Sequence, residues 1–219
     1  MNAIPRPKGR EAIKAWHRQK IIDATIQVIT EQGIAGTTIA RVVERADVSM
    51  GLVNVHFKSK DSLLTEVLQQ MADDYAAHWR GVLETTAPNP VEKLKALVLA
   101  DFDPSVLNLT TLGVWFAFRA LARARPEYIE LVGSRERDQL RKTRELLQEI
   151  NGISGQTHDV DTLALALTTM LDGIWTDFFL YPDEFDRKRA LNGVFMFLAA
   201  MYPDQFKDAD PRRVRVSAR

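Results

Sequence analysis

The chain of 219 residues contains no cysteine, which removes disulfides, thiolate metal ligands and cysteine nucleophiles and fits a reducing cytoplasm. Its four histidines, His17, His56, His78 and His158, have no metal-ligand spacing such as H-E-x-x-H. G-x-S-x-G, G-x-G-x-x-G and P-loop patterns are also missing. Asp101 and Asp103 form a nearby carboxylate pair, but Asp103 stands before Pro104 and reads as a helix cap. No catalysis, cofactor or metal is expected. No apolar run approaches the roughly 20 residues that span a bilayer, and MNAIPRPKGREAIKAW lacks a signal-peptide core. A soluble cytoplasmic protein with no membrane partner is expected.

What is present is helical period and uneven charge. The net charge of zero divides into ten basic against five acidic residues up to Lys60, fourteen against twenty-two from Asp61 to Phe206, and five against two beyond. A basic head on an acidic body is the balance of a nucleic-acid-binding segment joined to a second function. Ile22, Ile26 and Ile29 repeat at helical spacing in a segment from about 12 to 32 that stops at Gly33. Thr38 caps a short helix with Ile39, Val42, Val43 and Ala46 inward. Ser49 caps a third helix with Val53 and Phe57 inward, and Ser59 caps a long fourth.

Asn89-Pro90, Asp103-Pro104 and Arg125-Pro126 open segments at roughly 90 to 101, 104 to 124 and 126 to 150. Two more helices, 161 to 181 and about 184 to 202, complete an all-α chain of nine or ten helices. The expected organisation is a three-helix helix-turn-helix domain over 1–60, a helical ligand-binding and dimerisation domain over 61–204, and a disordered tail over 205–219.

Two short helices joined by a tight turn and packed on a longer one make a helix-turn-helix, whose second short helix enters the major groove. With Val48, Val53 and Phe57 inward, Met50, Gly51, Asn54 and Val55 point outward. Asn54 suits base edges or phosphates, and Met50 and Val55 suit thymine methyls. Lys58 and Lys60, at the start of the fourth helix, suit a phosphate. Gly51 either brings the backbone close to DNA or lets two helices of this chain pack closely; glycine inside a helix costs about 1 kcal/mol relative to alanine.

The stretch TTIARVVERADVSMGLVNVHFKSKDSLL resembles the head of the TetR family of bacterial repressors, through Thr38, Ala46, Val48, Ser49, Gly51, Phe57, Lys60, Leu63 and Leu64. Asp47 stands where that family has a turn glycine, and Asn54 where it has a recognition-helix tyrosine, whose phosphate contact is then missing or passes to His56. The resemblance implies a homodimer on a double-stranded, palindromic operator. Arg18, Thr38, Ser49, Met50, Gly51, Asn54, Val55, His56 and Lys60 are its candidate DNA contacts.

ADFDPSVLNLTTLGVWFAFRA and TTMLDGIWTDFFL extend the resemblance to the choline-responsive repressors of betaine synthesis within that family. They imply a small-molecule effector, choline or a related quaternary ammonium; Arg119 and Asp177 are departures, standing where that branch has an aromatic and a basic residue. Aromatic faces with a nearby carboxylate hold such a cation. The candidates are Tyr75, Trp79, Trp115, Phe118, Asp172 and Trp175; the same aromatic stripes also suit core or dimer interface. Segment 161 to 181 is apolar on more than one face, which points to dimerisation through 126–150 and 161–181. Two other readings stay open: a related repressor answering a lipophilic drug or acyl thioester, and a helical interaction module without DNA binding.

Overall fold

The computed structural model describes residues 8–207, without the side chains of Ser134 and Arg135. Among the described residues there are ten α-helices and no strand: α1 (Arg10–Gly36), α2 (Ile39–Ala46), α3 (Met50–His56), α4 (Lys60–Thr85), α5 (Pro90–Asp101), α6 (Leu109–Ala122), α7 (Pro126–Ser154), α8 (Val160–Leu180), α9 (Arg187–Met201) and α10 (Pro203–Phe206). The all-helical class expected from the periodicity is the class observed.

The local signals at the head act as the chemistry requires. Gly33 breaks α1 at φ 67°, a conformation that strains any residue with a Cβ. The Thr38 hydroxyl accepts from the Arg41 N–H, and the Ser49 hydroxyl from the Leu52 N–H at 3.1 Å. Asp47 takes the left-handed turn position at φ 48°, which aspartate tolerates better than most residues. Ser59 and Ser62 cap the start of α4 reciprocally, each hydroxyl accepting from the other's N–H at 3.0 Å.

The backbone packs as two compact units. One is the chain up to Ala72 together with Gly113–Val132; the other is Asp73–Leu112 together with the chain from Gly133 onward. This grouping differs from a division at residue 60, because α4 runs unbroken through that point and most of α6 joins the first unit. The first unit buries Ile21, Ile22, Val42, Val53, Phe57, Leu64 and Leu68, with Trp115 and Phe118 from α6. Each such side chain contributes about 1.5–3 kcal/mol on removal from water.

In the second unit a largely buried polar chain ties the end of α7 and the loop after it to the end of α9. The Tyr202 hydroxyl donates to Asn151 Oδ1 at 2.7 Å, Asn151 Nδ2 donates to the His158 carbonyl at 2.9 Å, and His158 Nε2 lies 2.8 Å from the Met201 carbonyl. Phe206 is buried on α10, so ordered chain continues past residue 205; the expected tail over 208–219 lies outside the described residues.

Two other expectations are corrected. Asp103-Pro104 does not open a helix: the Asp103 carboxylate accepts from the N–H and hydroxyl of Ser105, and α6 begins at Leu109 with Asn108 Oδ1 capping the Thr111 N–H at 2.8 Å. The Arg187 guanidinium holds that turn, donating to the carbonyls of Phe102 and Leu107. Contrary to the reading that no apolar run nears membrane length, α8 is long and apolar enough to cross a bilayer by length and composition, with only 22% of that stretch buried. Its exposed side chains include Leu165 and Leu180.

Candidate functional site

In the first unit, α3 turns Val53 inward at 1% exposure and leaves Met50 at 45% and Val55 at 72%, with Gly51 and Asn54 also exposed. The ambiguity over Gly51 resolves here. Its backbone φ is not positive, and an added Cβ would meet only Ser49 Oγ at 3.9 Å, an ordinary contact. Among the described residues, neither backbone conformation nor helix packing requires glycine at that position.

The remaining candidates of the head divide by their partners. Thr38 and Ser49 are exposed caps. Arg18 pairs with Glu66 and lies over the Phe57 ring at 5.7 Å, and Lys60 Nζ donates to the Ile34 carbonyl at 3.1 Å. His56 is half-buried, 6.4 Å from the His17 ring, and its Nδ1 finds no hydrogen-bond partner among the described residues. Burial first, then the positive fields of His17, Lys14 and Arg18, hold its imidazole below the ordinary histidine value. These three side chains therefore help assemble the head, whereas Met50, Asn54 and Val55 stand free of it.

The second unit gathers part of the proposed aromatic set around a carboxylate. Tyr75 donates its hydroxyl to Asp101 Oδ1 at 2.5 Å, Gln139 Nε2 donates to Asp101 Oδ2 at 3.0 Å, and Trp175 Nε1 donates to the Asp101 carbonyl at 3.3 Å. The Tyr75 and Trp175 rings meet edge to face, 5.8 Å apart at 89°. Asp101 is 2% exposed, and a buried carboxylate persists only where such partners offset its desolvation. Trp79 is buried one turn along α4 from Tyr75.

Asp172, half-buried on α8, lines a cleft of about 300 Å³ with Arg137 and Gln139, so Gln139 belongs both to that cleft and to the Asp101 cluster. Trp115 and Phe118 are buried in the first unit, where Phe118 packs edge to face on Tyr128 at 5.2 Å. Asp101 and Gln139 are absent from the candidates read from sequence. The signal for Asp101 was available: Leu94, Leu97, Val98 and Asp101 fall at i, i+3, i+4 and i+7, which puts the carboxylate on the buried stripe of α5. Gln139 carries no comparable pattern.

Comparison with known proteins agrees with both halves. Residues 21–67 match the family described as bacterial regulatory proteins, tetR family, and residues 90–203 match the family described as BetI-type transcriptional repressor, C-terminal. The HTH-type transcriptional regulator BetI of Paraburkholderia phymatum is 33% identical over 80% of this chain and 87% of its own length. A transcriptional regulator from Pseudomonas aeruginosa superposes with a TM-score of 0.78 at 21% identity, over 92% of this chain and 95% of that one. A regulator from Saccharomonospora viridis, solved in complex with choline, superposes with a TM-score of 0.74 at 18% identity, over 84% and 96%. These relatives are regulators rather than enzymes, and the chain belongs to the TetR family as a transcriptional repressor of BetI type.

Proposed function

We propose that this repressor answers choline or a related quaternary ammonium, bound at the cluster of Tyr75, Asp101 and Trp175 in the second unit. The observation that carries this reading is the buried Asp101, whose carboxylate accepts from the Tyr75 hydroxyl and whose main-chain carbonyl accepts from the Trp175 N–H, the two rings standing perpendicular. Ring quadrupoles attract a cation that cannot itself donate hydrogen bonds, and a carboxylate adds Coulombic attraction at low dielectric. The choline complex of the Saccharomonospora relative supports the same class of ligand. Asp172 and Trp79 line the approach in this proposal, and Trp115 and Phe118 serve the core of the first unit.

The operator is held by the outer face of α3, with Thr38 and Lys58 toward the phosphates. The exposed position of Gly51 on that face, with no close contact to the described residues, supports this assignment. Two copies associate through α8 and α9, where Leu165, Leu180 and Met196 are exposed and an added Cβ at Gly173 or Gly193 meets nothing. On α7 the exposed positions from Glu136 to Glu149 are charged or polar, although Ile129 and Ile153 of the same helix are exposed, so the pairing is assigned to α9 in preference to the segment 126–150 expected from sequence. The dimer acts in the cytoplasm on a palindromic operator, whose half-sites must lie about 34 Å apart. Repression is by occupancy, and the effector acts by binding operator-competent and incompetent states unequally.

Calorimetric titration of choline into the full-length protein tests the effector. Saturable binding that Asp101→Asn abolishes, in a variant with unchanged far-UV circular dichroism, is expected. Ethanolamine, which lacks the methylated cation, should bind far more weakly. The assignment fails if choline gives no binding heat at millimolar concentration.

A further inference from the structure

We infer that Val55 reads the C5-methyl group of thymine, so that this repressor's half-site is recognised mainly by apolar contact at a T·A-rich core. The inference rests on the α3 face as the DNA surface and adds the chemistry by which that face discriminates.

Val55 is 72% exposed on a seven-residue helix whose inward positions are already filled by Val53 and the following Phe57. A β-branched residue there favours neither the helix nor the solvent boundary. Helical side chains lean over the turn N-terminal to their own Cα, and four residues before Val55 that turn presents Gly51. With no side chain at Gly51, the backbone can approach the groove floor closely enough for the two γ-methyls of Val55 to meet it. Valine holds essentially one χ1 rotamer in a helix, so those methyls form a fixed apolar surface.

The rest of the strip narrows the target. Met50 is a second exposed apolar side chain, and Asn54 is its only amide. Asparagine pairs bidentately with adenine N6 and N7, whereas guanine is most often read by arginine or lysine. No arginine or lysine stands on this strip; on the neighbouring segments Arg41 donates to the Gly36 carbonyl and Lys60 to the Ile34 carbonyl. The strip therefore suits thymine methyls and one adenine.

The test removes a single methyl. The operator is first selected from a random duplex pool with the full-length protein and then resynthesised with deoxyuridine replacing each thymidine in turn. The wild-type protein is expected to lose about fourfold in affinity at one or two positions per half-site, the effect of one apolar carbon. Val55→Ala should lose the uracil sensitivity at the position that Val55 meets while keeping it at any position that Met50 meets, with the wild-type salt dependence that reports phosphate contacts unchanged. Equal binding of every uracil operator by the wild type overturns the inference, as does a Val55→Ala variant that keeps the uracil sensitivity at every sensitive position. A pool that yields no enriched sequence overturns specific DNA reading itself, and with it this proposal.

Discussion

The outer face of α3 and the Asp101 cluster are opposite constructions. On α3, Met50, Asn54 and Val55 are exposed and Gly51 serves no need of the chain. Around Asp101, every named side chain is buried or part-buried and hydrogen-bonded within the chain. An exposed recognition surface is separable from stability, so its residues can be changed with the fold intact. A buried polar cluster is not separable, because removing one partner leaves another group unsatisfied in a low dielectric.

The sharpest break of that contrast is Trp175→Ala, which removes a side chain only 4% exposed. It should destabilise the protein by about 3–5 kcal/mol, on the order of 10 °C in Tm, and thermal melting reads it directly. A loss below about 1 kcal/mol would mean that the cluster is a loose surface feature.

Asp101→Asn is the gentler probe. It keeps an acceptor for the Tyr75 hydroxyl but removes the charge, so it should cost about 1–2 kcal/mol and lose choline binding.

Gly51→Ala takes the comparison to the other side. With room for the Cβ, it should stabilise the head by up to about 1 kcal/mol and weaken operator binding at the same time. Melting and fluorescence anisotropy on one variant measure both signs. If operator affinity is unchanged, Gly51 does not lie against DNA.

The smallest effect is a pH dependence at the back of α3. The His56 imidazole is held below its ordinary value by burial and by neighbouring positive charge, so the unfolded chain binds the proton more readily than the head does. Its contribution is therefore complete above the unfolded histidine value, about 6.5, and is lost as pH falls from there through the lower folded value. Wild type should lose more stability than His56→Gln between neutral pH and mild acid; parallel curves would exclude His56 as the cause.

Legibility in sequence divides along the same line. The head could be read because its signals are local: Thr38, Ser49 and Ser59 each satisfy N–H groups within three residues, and Gly33 and Asp47 turn the chain where they stand. The start of α6 could not, since the turn after Asp103 is tied by Arg187, more than eighty residues away. The Asp101 cluster was half legible. Tyr75 and Trp175 stand out as aromatics at helical spacing, but only packing separates them from Phe118, which faces Tyr128 instead. Asp101 read from sequence only as one of a carboxylate pair with Asp103, although it falls on the buried stripe of α5.

The most direct test of the account is operator affinity at one fixed salt concentration, with and without choline, for the wild type and Asp101→Asn. The account predicts that choline changes the wild-type affinity at least several-fold and leaves Asp101→Asn unmoved. Wild-type affinity unaltered by saturating choline would contradict it.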